Sequence, residues 1–127
     1  MAHRFNKHYT REEARALLPT VRQWLEHLSQ YRVDLETTDR RVAGLMPTGN
    51  DVGGELVNKS VRLTAEVREL LQKFQDREIV IKDLSRGLVD FPSLIGDKEV
   101  FLCWEKDEED IEFWHDIDSG YAGREPL

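Results

Sequence analysis

Apolar residues recur at heptad spacing through the first third of the chain. One column holds Ala14, Val21, Leu28, Leu35 and Val42, and the next holds Leu17, Trp24, Tyr31, Thr38 and Leu45. Leu18, Leu25 and Met46 widen the stripe, which predicts one long amphipathic helix. Its start is marked by Tyr9-Thr10-Arg11-Glu12-Glu13, where Thr10 can cap and Glu13 can complete a capping box. Pro19 lacks the N–H that would bond the preceding turn, so a kink is expected near Leu17–Leu18; the periodicity stays in phase across it. Met46 to Gly54 reads as a helix-to-helix turn. It is Gly-rich, but lacks the Lys-Ser/Thr ending and preceding strand of a phosphate-cradling loop. A second helix is predicted from about Glu55 to Arg77, with Leu56, Ser60, Leu63, Val67, Leu70 and Phe74 forming its seam and Val57, Thr64 and Leu71 flanking it. A short connection makes the two helices an antiparallel hairpin.

At Glu78 the period changes to two. Ile79-Val80-Ile81 leads through a turn at Ser85-Arg86-Gly87 to Leu88-Val89-Asp90-Phe91, and opposing Leu84 to Leu88 sets Lys82 across from Asp90. Pro92 predicts that this second strand is at an edge, bulged or ending. Gly96-Asp97-Lys98 turns the chain into Val100–Trp104, and the acidic loop 105–110 leads to Ile111–His115. With Trp104 opposite Ile111, one face carries Val100, Leu102, Trp104, Ile111, Phe113 and His115 and packs on the helices. The other carries Phe101, Cys103, Glu105, Glu112 and Trp114 and needs a cover: the C-terminal tail, the N-terminal segment or another subunit. The expected fold is therefore α+β in a single domain, 1–127: a long antiparallel helical hairpin at about 9–77, a four-stranded antiparallel β-meander at about 79–116, and a docked tail at 117–127.

Composition adds three constraints. No stretch approaches the roughly 20 apolar residues of a membrane span, and the N-terminus lacks the apolar core of a secretory signal. The one cysteine, Cys103, excludes an internal disulfide and points to a reducing, cytoplasmic setting. The net charge of −7 is uneven: residues 1–54 and 55–87 each carry +1, whereas 88–127 carry three Lys/Arg against twelve Asp/Glu. Such a surface repels phosphate backbones, so nucleic acid is disfavoured and would meet only the helical part.

Candidate chemistry concentrates near the end of the sheet. His115, Asp116 and Asp118 put an imidazole and two carboxylates within four residues, able to bind a divalent cation or to orient His115 as a base. A transition metal would need further ligands from elsewhere, such as Asp90, Cys103 or His8. The plain alternative is a core-rim histidine bonded to a carboxylate. Cys103 itself, mid-strand with no basic neighbour, reads as a packed small hydrophobe. Arg4, Lys7, Arg11, Arg15 and Arg22, with His3 and His8, form a basic region that can hold an anion, although Glu12, Glu13 and Glu26 dilute it. Tyr121, Arg124 and Leu127 give the tail the composition of a docking segment, with Arg124 seeking a carboxylate on the sheet.

Several strings together resemble a known signature. They are Tyr9-Thr10 with Ala14 and Leu17-Leu18-Pro19; Lys82-Asp83; Gly87-Leu88-Val89-Asp90-Phe91-Pro92; Leu102-Cys103-Trp104; Phe113-Trp114-His115; and Gly120-Tyr121-Ala122-Gly123-Arg124 with Pro126-Leu127. Their order and spacing resemble a prokaryotic family catalogued only as a domain of unknown function, number 2203. The resemblance implies a small stand-alone bacterial protein and supplies no activity, substrate or cofactor. Where the family's pattern often has Glu after the Phe-Trp-His string and Gln before the final Pro-Leu, this chain has Asp116 and Glu125.

Three functional expectations follow. The first is an interaction or structural module acting as a homodimer, because a first helical region of ~54 Å outruns a second of ~35 Å and one sheet face lacks a cover. The second is a metal-dependent or acid/base enzyme, or a small-ligand binder, using His115 with Asp116 or Asp118 and with Asp90, Lys82 and Arg124. The third is anion or nucleic-acid binding by the basic N-terminal helix face.

Overall fold

The computed structural model describes residues 3–45 and 54–127. The expected turn at Met46–Gly54, apart from Gly54, lies outside the described residues, as does Met46 of the apolar stripe. Helix α1 spans Arg11–Leu45 and α2 Glu55–Asp76; then come strands β1 (Val80–Asp83), β2 (Leu88–Ile95), β3 (Lys98–Glu105), β4 (Phe113–Asp116), a 3-10 turn at Tyr121–Gly123, and β5 (Glu125–Pro126). The described residues fall into two compact units, 3–25 with 73–127, and 26–45 with 54–72. No helix among them is long and apolar enough to cross a membrane.

Local chemistry sets the helix ends. Thr10 Oγ1 accepts from the Glu13 N–H, and Glu13 accepts from the Thr10 N–H, the reciprocal exchange of a capping box. The helix continues through Pro19 without a break. At the end of α2, Ile79 N–H donates to the Phe74 carbonyl and Glu78 N–H to that of Gln75, while Glu78 takes the left-handed φ of 56°. These two bonds close the last turn as a Schellman motif, with Glu in the place glycine usually takes. In the first unit Trp24 meets Phe74 edge-to-face; in the second, Ser60 donates to Asp39 at 2.8 Å. Partner positions fall along α2 as they rise along α1, the antiparallel order of a helical hairpin.

The sheet is an antiparallel meander of five strands in the order β1-β2-β3-β4-β5, one more than expected, because the tail docks by pairing with β4. Three details of register differ from expectation. In the first hairpin Asp83, not Leu84, opposes Leu88, and a bulge leaves Lys82 without a cross-strand partner; Val80 faces Asp90, so the expected Lys82–Asp90 pair across the ladder does not form. Gly87, with φ of 66°, ends that turn, and its carbonyl accepts the Lys106 N–H. Pro92 does not end β2, which runs on to Ile95 in the middle of the sheet. It is tolerated because β1 pairs only as far as Asp90, and the Pro92 carbonyl on that open side accepts the Tyr9 N–H at 2.7 Å.

The third difference matters most. Phe101, not Val100, opposes His115, and Cys103 opposes Phe113. Ile111 sits outside the strand as a fully buried plug, its N–H held by the Asp110 carboxylate. A one-residue slip moves every side chain of a strand to the opposite face. Phe113 and His115 therefore leave the face of Val100, Leu102 and Trp104 and join that of Phe101 and Cys103.

Both faces are covered within the first unit. Val89, Phe91, Leu102 and Trp104 meet the N-terminal half of α1 and its lead-in: Tyr9 lies edge-on to Phe91, and the Arg22 guanidinium stacks on Trp104. On the other face Phe5 caps Phe101, while the Arg124 guanidinium lies 3.6 Å from the centre of Phe113 and also stacks against Tyr121. The N-terminal segment and the tail together supply the cover, so this sheet has no face waiting for another subunit.

Candidate functional site

Three neighbouring strands build the most concentrated group of reactive side chains. Asp90 on β2 stands directly across from Cys103 on β3, and His115 on β4 stands across from Phe101, two positions along the same face. Alternation points all three side chains the same way. His115 Nε2 lies 3.1 Å from both Asp90 carboxylate oxygens, and Nδ1 lies 2.8 Å from the Asp116 carbonyl. One donor atom from each of Asp90, Cys103 and His115 comes within 4.8 Å of the others. The Asp90 and His115 side chains are each 1% exposed. Burial raises the Asp90 carboxyl above its ordinary range despite the opposing pull of His115 and Lys82. Burial, reinforced by the Asp90 charge, pushes the Cys103 thiol up to about 12.

The other expected site residues are elsewhere. Asp116 is exposed and pairs with Lys98, and Asp118 is exposed and pairs with Arg4 at 3.1 Å. Both line a shallow depression of about 430 Å³ beside Glu99, on which His115 does not open. Adjacent strand residues point to opposite faces, so His115 and Asp116 are kept apart by the strand itself. Arg124 pairs with Glu108 at the rim of the tail. The Lys82 ammonium lies over the Phe101 ring, 5.3 Å from its centre. Of the six residues expected to converge, His115 and Asp90 touch. Cys103, read from the sequence as packing and named there as a further ligand only for a transition metal, completes the group.

The basic N-terminal region is also engaged internally. Arg15 clasps Asp110 with two hydrogen bonds, Arg11 pairs with the same carboxylate, and Arg22 donates to the Lys106 and Glu108 carbonyls. Lys7 pairs with Glu13. Arg11, Arg15 and Arg22 are thus engaged with the acidic loop 105–110.

Sequence reasoning missed a second group. His8 Nε2 lies 2.7 Å from Glu99, His3 packs edge-on to His8, and Glu99 also accepts the Arg4 and Phe5 N–H groups. Partial burial works to raise the Glu99 carboxyl, but these hydrogen bonds outweigh it and hold the group at about 2. The contact joins positions 91 apart, so no local motif announced it.

The signature strings identified in the sequence map onto this framework: Gly87–Pro92 forms the turn and β2 with Asp90, Leu102–Trp104 holds Cys103, and Phe113–His115 forms β4. No curated protein and no solved structure matches the chain. The family model of the uncharacterised conserved protein DUF2203 does match it, over residues 7–127, and the chain belongs to that family.

Proposed function

We propose that the protein is a self-associating interaction module, and that the outer face of α2 within the unit 26–72 is where a second copy binds. The observation that carries this reading is a second apolar row on α2. Val57, Val61 and Leu71 are exposed, Val61 by 65%, on the flank of the seam that holds buried Leu63 and Leu70. Exposed aliphatic residues aligned along one helix face mark a helix-pairing surface rather than scattered surface hydrophobes.

The face is self-complementary. Ser60, Val61, Thr64, Ala65, Arg68 and Glu69 line a groove of about 390 Å³. An antiparallel second copy centred between Thr64 and Ala65 sets Val61 against the aliphatic stem of Arg68. An isologous contact of this kind is the commonest route to a homodimer. The buried free cysteine fits a reducing compartment, and we place the chain in the cytoplasm.

Sedimentation velocity tests the reading. The wild type is expected as a dimer at micromolar concentration, and Val61→Glu as a folded monomer. A wild type that remains monomeric at high micromolar concentration removes it.

A further inference from the structure

We propose that Asp90, Cys103 and His115 bind one thiophilic divalent transition-metal cation of the zinc class. A backbone carbonyl only accepts, so His115 Nδ1, 2.8 Å from the Asp116 carbonyl, carries its hydrogen. Nε2 then faces the two Asp90 oxygens, and acceptor faces acceptor unless a proton or a cation lies between them. The contact is 3.1 Å to each oxygen alike. A charge-assisted hydrogen bond is usually shorter, ~2.7–2.9 Å. A cation between the two groups fits that spacing as well as a shared proton does.

The surroundings are those of a metal site. Cys103 stands across the ladder from Asp90, and the three donor atoms lie within 4.8 Å of one another. Thiolate, imidazole and carboxylate are the donors zinc takes, and the thiolate selects against magnesium and calcium. A metal-bound imidazole usually donates its second N–H to a carbonyl or carboxylate; the Asp116 carbonyl already fills that role. A dication with one carboxylate, one thiolate and one neutral imidazole carries no net charge, which removes the cost of burying Asp90 as an anion. Lys82, near Asp90, and Arg124 and Glu108, nearer Cys103, are the flanking charges.

Loading the site releases two protons: the one shared by Asp90 and His115, and the thiol proton of Cys103. Entry requires the cover to lift. β5 is two residues long, so the tail is the segment suited to open.

The test titrates chelator-treated full-length protein with cobalt(II) chloride alone. The wild type is expected to bind one equivalent, develop a near-ultraviolet thiolate-to-cobalt absorption band and release about two protons per metal. Zinc is expected to displace the cobalt and raise the melting temperature. Cys103→Ser is expected to lose the band, whereas His8→Ala, which disables the separate His3–His8–Glu99 group, is expected to keep it. The band is read on the wild type, so the result does not depend on a variant folding. No stoichiometric binding by the wild type overturns the proposal. So does binding without the band, or binding lost in His8→Ala and retained in Cys103→Ser.

Discussion

His115 and Asp90 meet in the sheet's interior, with Nε2 3.1 Å from both carboxylate oxygens and neither side chain more than 1% exposed. Removing one member of a buried pair strands the other without a partner, at a cost of about 3–5 kcal/mol. His115→Ala and Asp90→Ala are therefore each expected to destabilise the fold by that order. Replacing both with apolar residues of similar volume is expected to cost less than either single change. Denaturant melts of the two singles and the double measure the coupling.

Glu99 gives the fold an acid-sensitive contact. Its folded-state carboxyl sits at about 2 against an ordinary 4.5. The unfolded chain thus takes up the proton first as pH falls. The stabilisation is complete above about pH 4.5 and disappears as pH drops toward 2. Glu99→Gln is expected to be less stable than wild type at neutral pH and to lose less stability across that interval. Urea melts at successive pH values between these limits read the difference.

The capping box at the start of α1 is a local and separable element. Thr10→Ala removes the acceptor for the Glu13 N–H and is expected to cost about 1 kcal/mol. Thr10→Ser is expected to restore most of that loss. Thermal unfolding monitored at helical wavelengths distinguishes the two.

Cys103 reports on the tail. In the intact, metal-free protein the thiol is buried and held in its protonated form, so thiol reagents are expected to label it only through opening of the fold. Deleting residues 121–127 removes β5 and the Arg124–Phe113 stack. Labelling at neutral pH is expected to accelerate many-fold in the truncated chain, followed by absorbance of the released thiol reporter.

These elements differ in how far the sequence announces them. The capping box, the two helical seams and the glycine turn at Gly87 depend on residues a few positions apart, and their chemistry reads directly from the chain. The β3–β4 register does not. Ile111 is as apolar as a strand residue, but the Asp110 carboxylate pins its N–H and turns it into a core plug. That shift by one residue moved His115 to the face of Cys103. His115 and Asp90 stood out as residue types, but their meeting depends on two strand registers at once. Lys82, expected opposite Asp90, is displaced by a bulge that no side chain nearby signals. The His8–Glu99 contact spans 91 positions and is purely tertiary.

The interaction role rests on two copies meeting about a two-fold axis beside Ala65. Ala65→Cys places a thiol at an exposed helical position next to that axis. Under mild oxidation at micromolar concentration, a disulfide-linked dimer is predicted, and Val61→Glu is predicted to abolish it. Asp97→Cys, in the exposed β2–β3 turn, is predicted to stay unlinked. An Ala65→Cys protein that oxidises no faster than the Asp97→Cys control would contradict self-association through this face of α2.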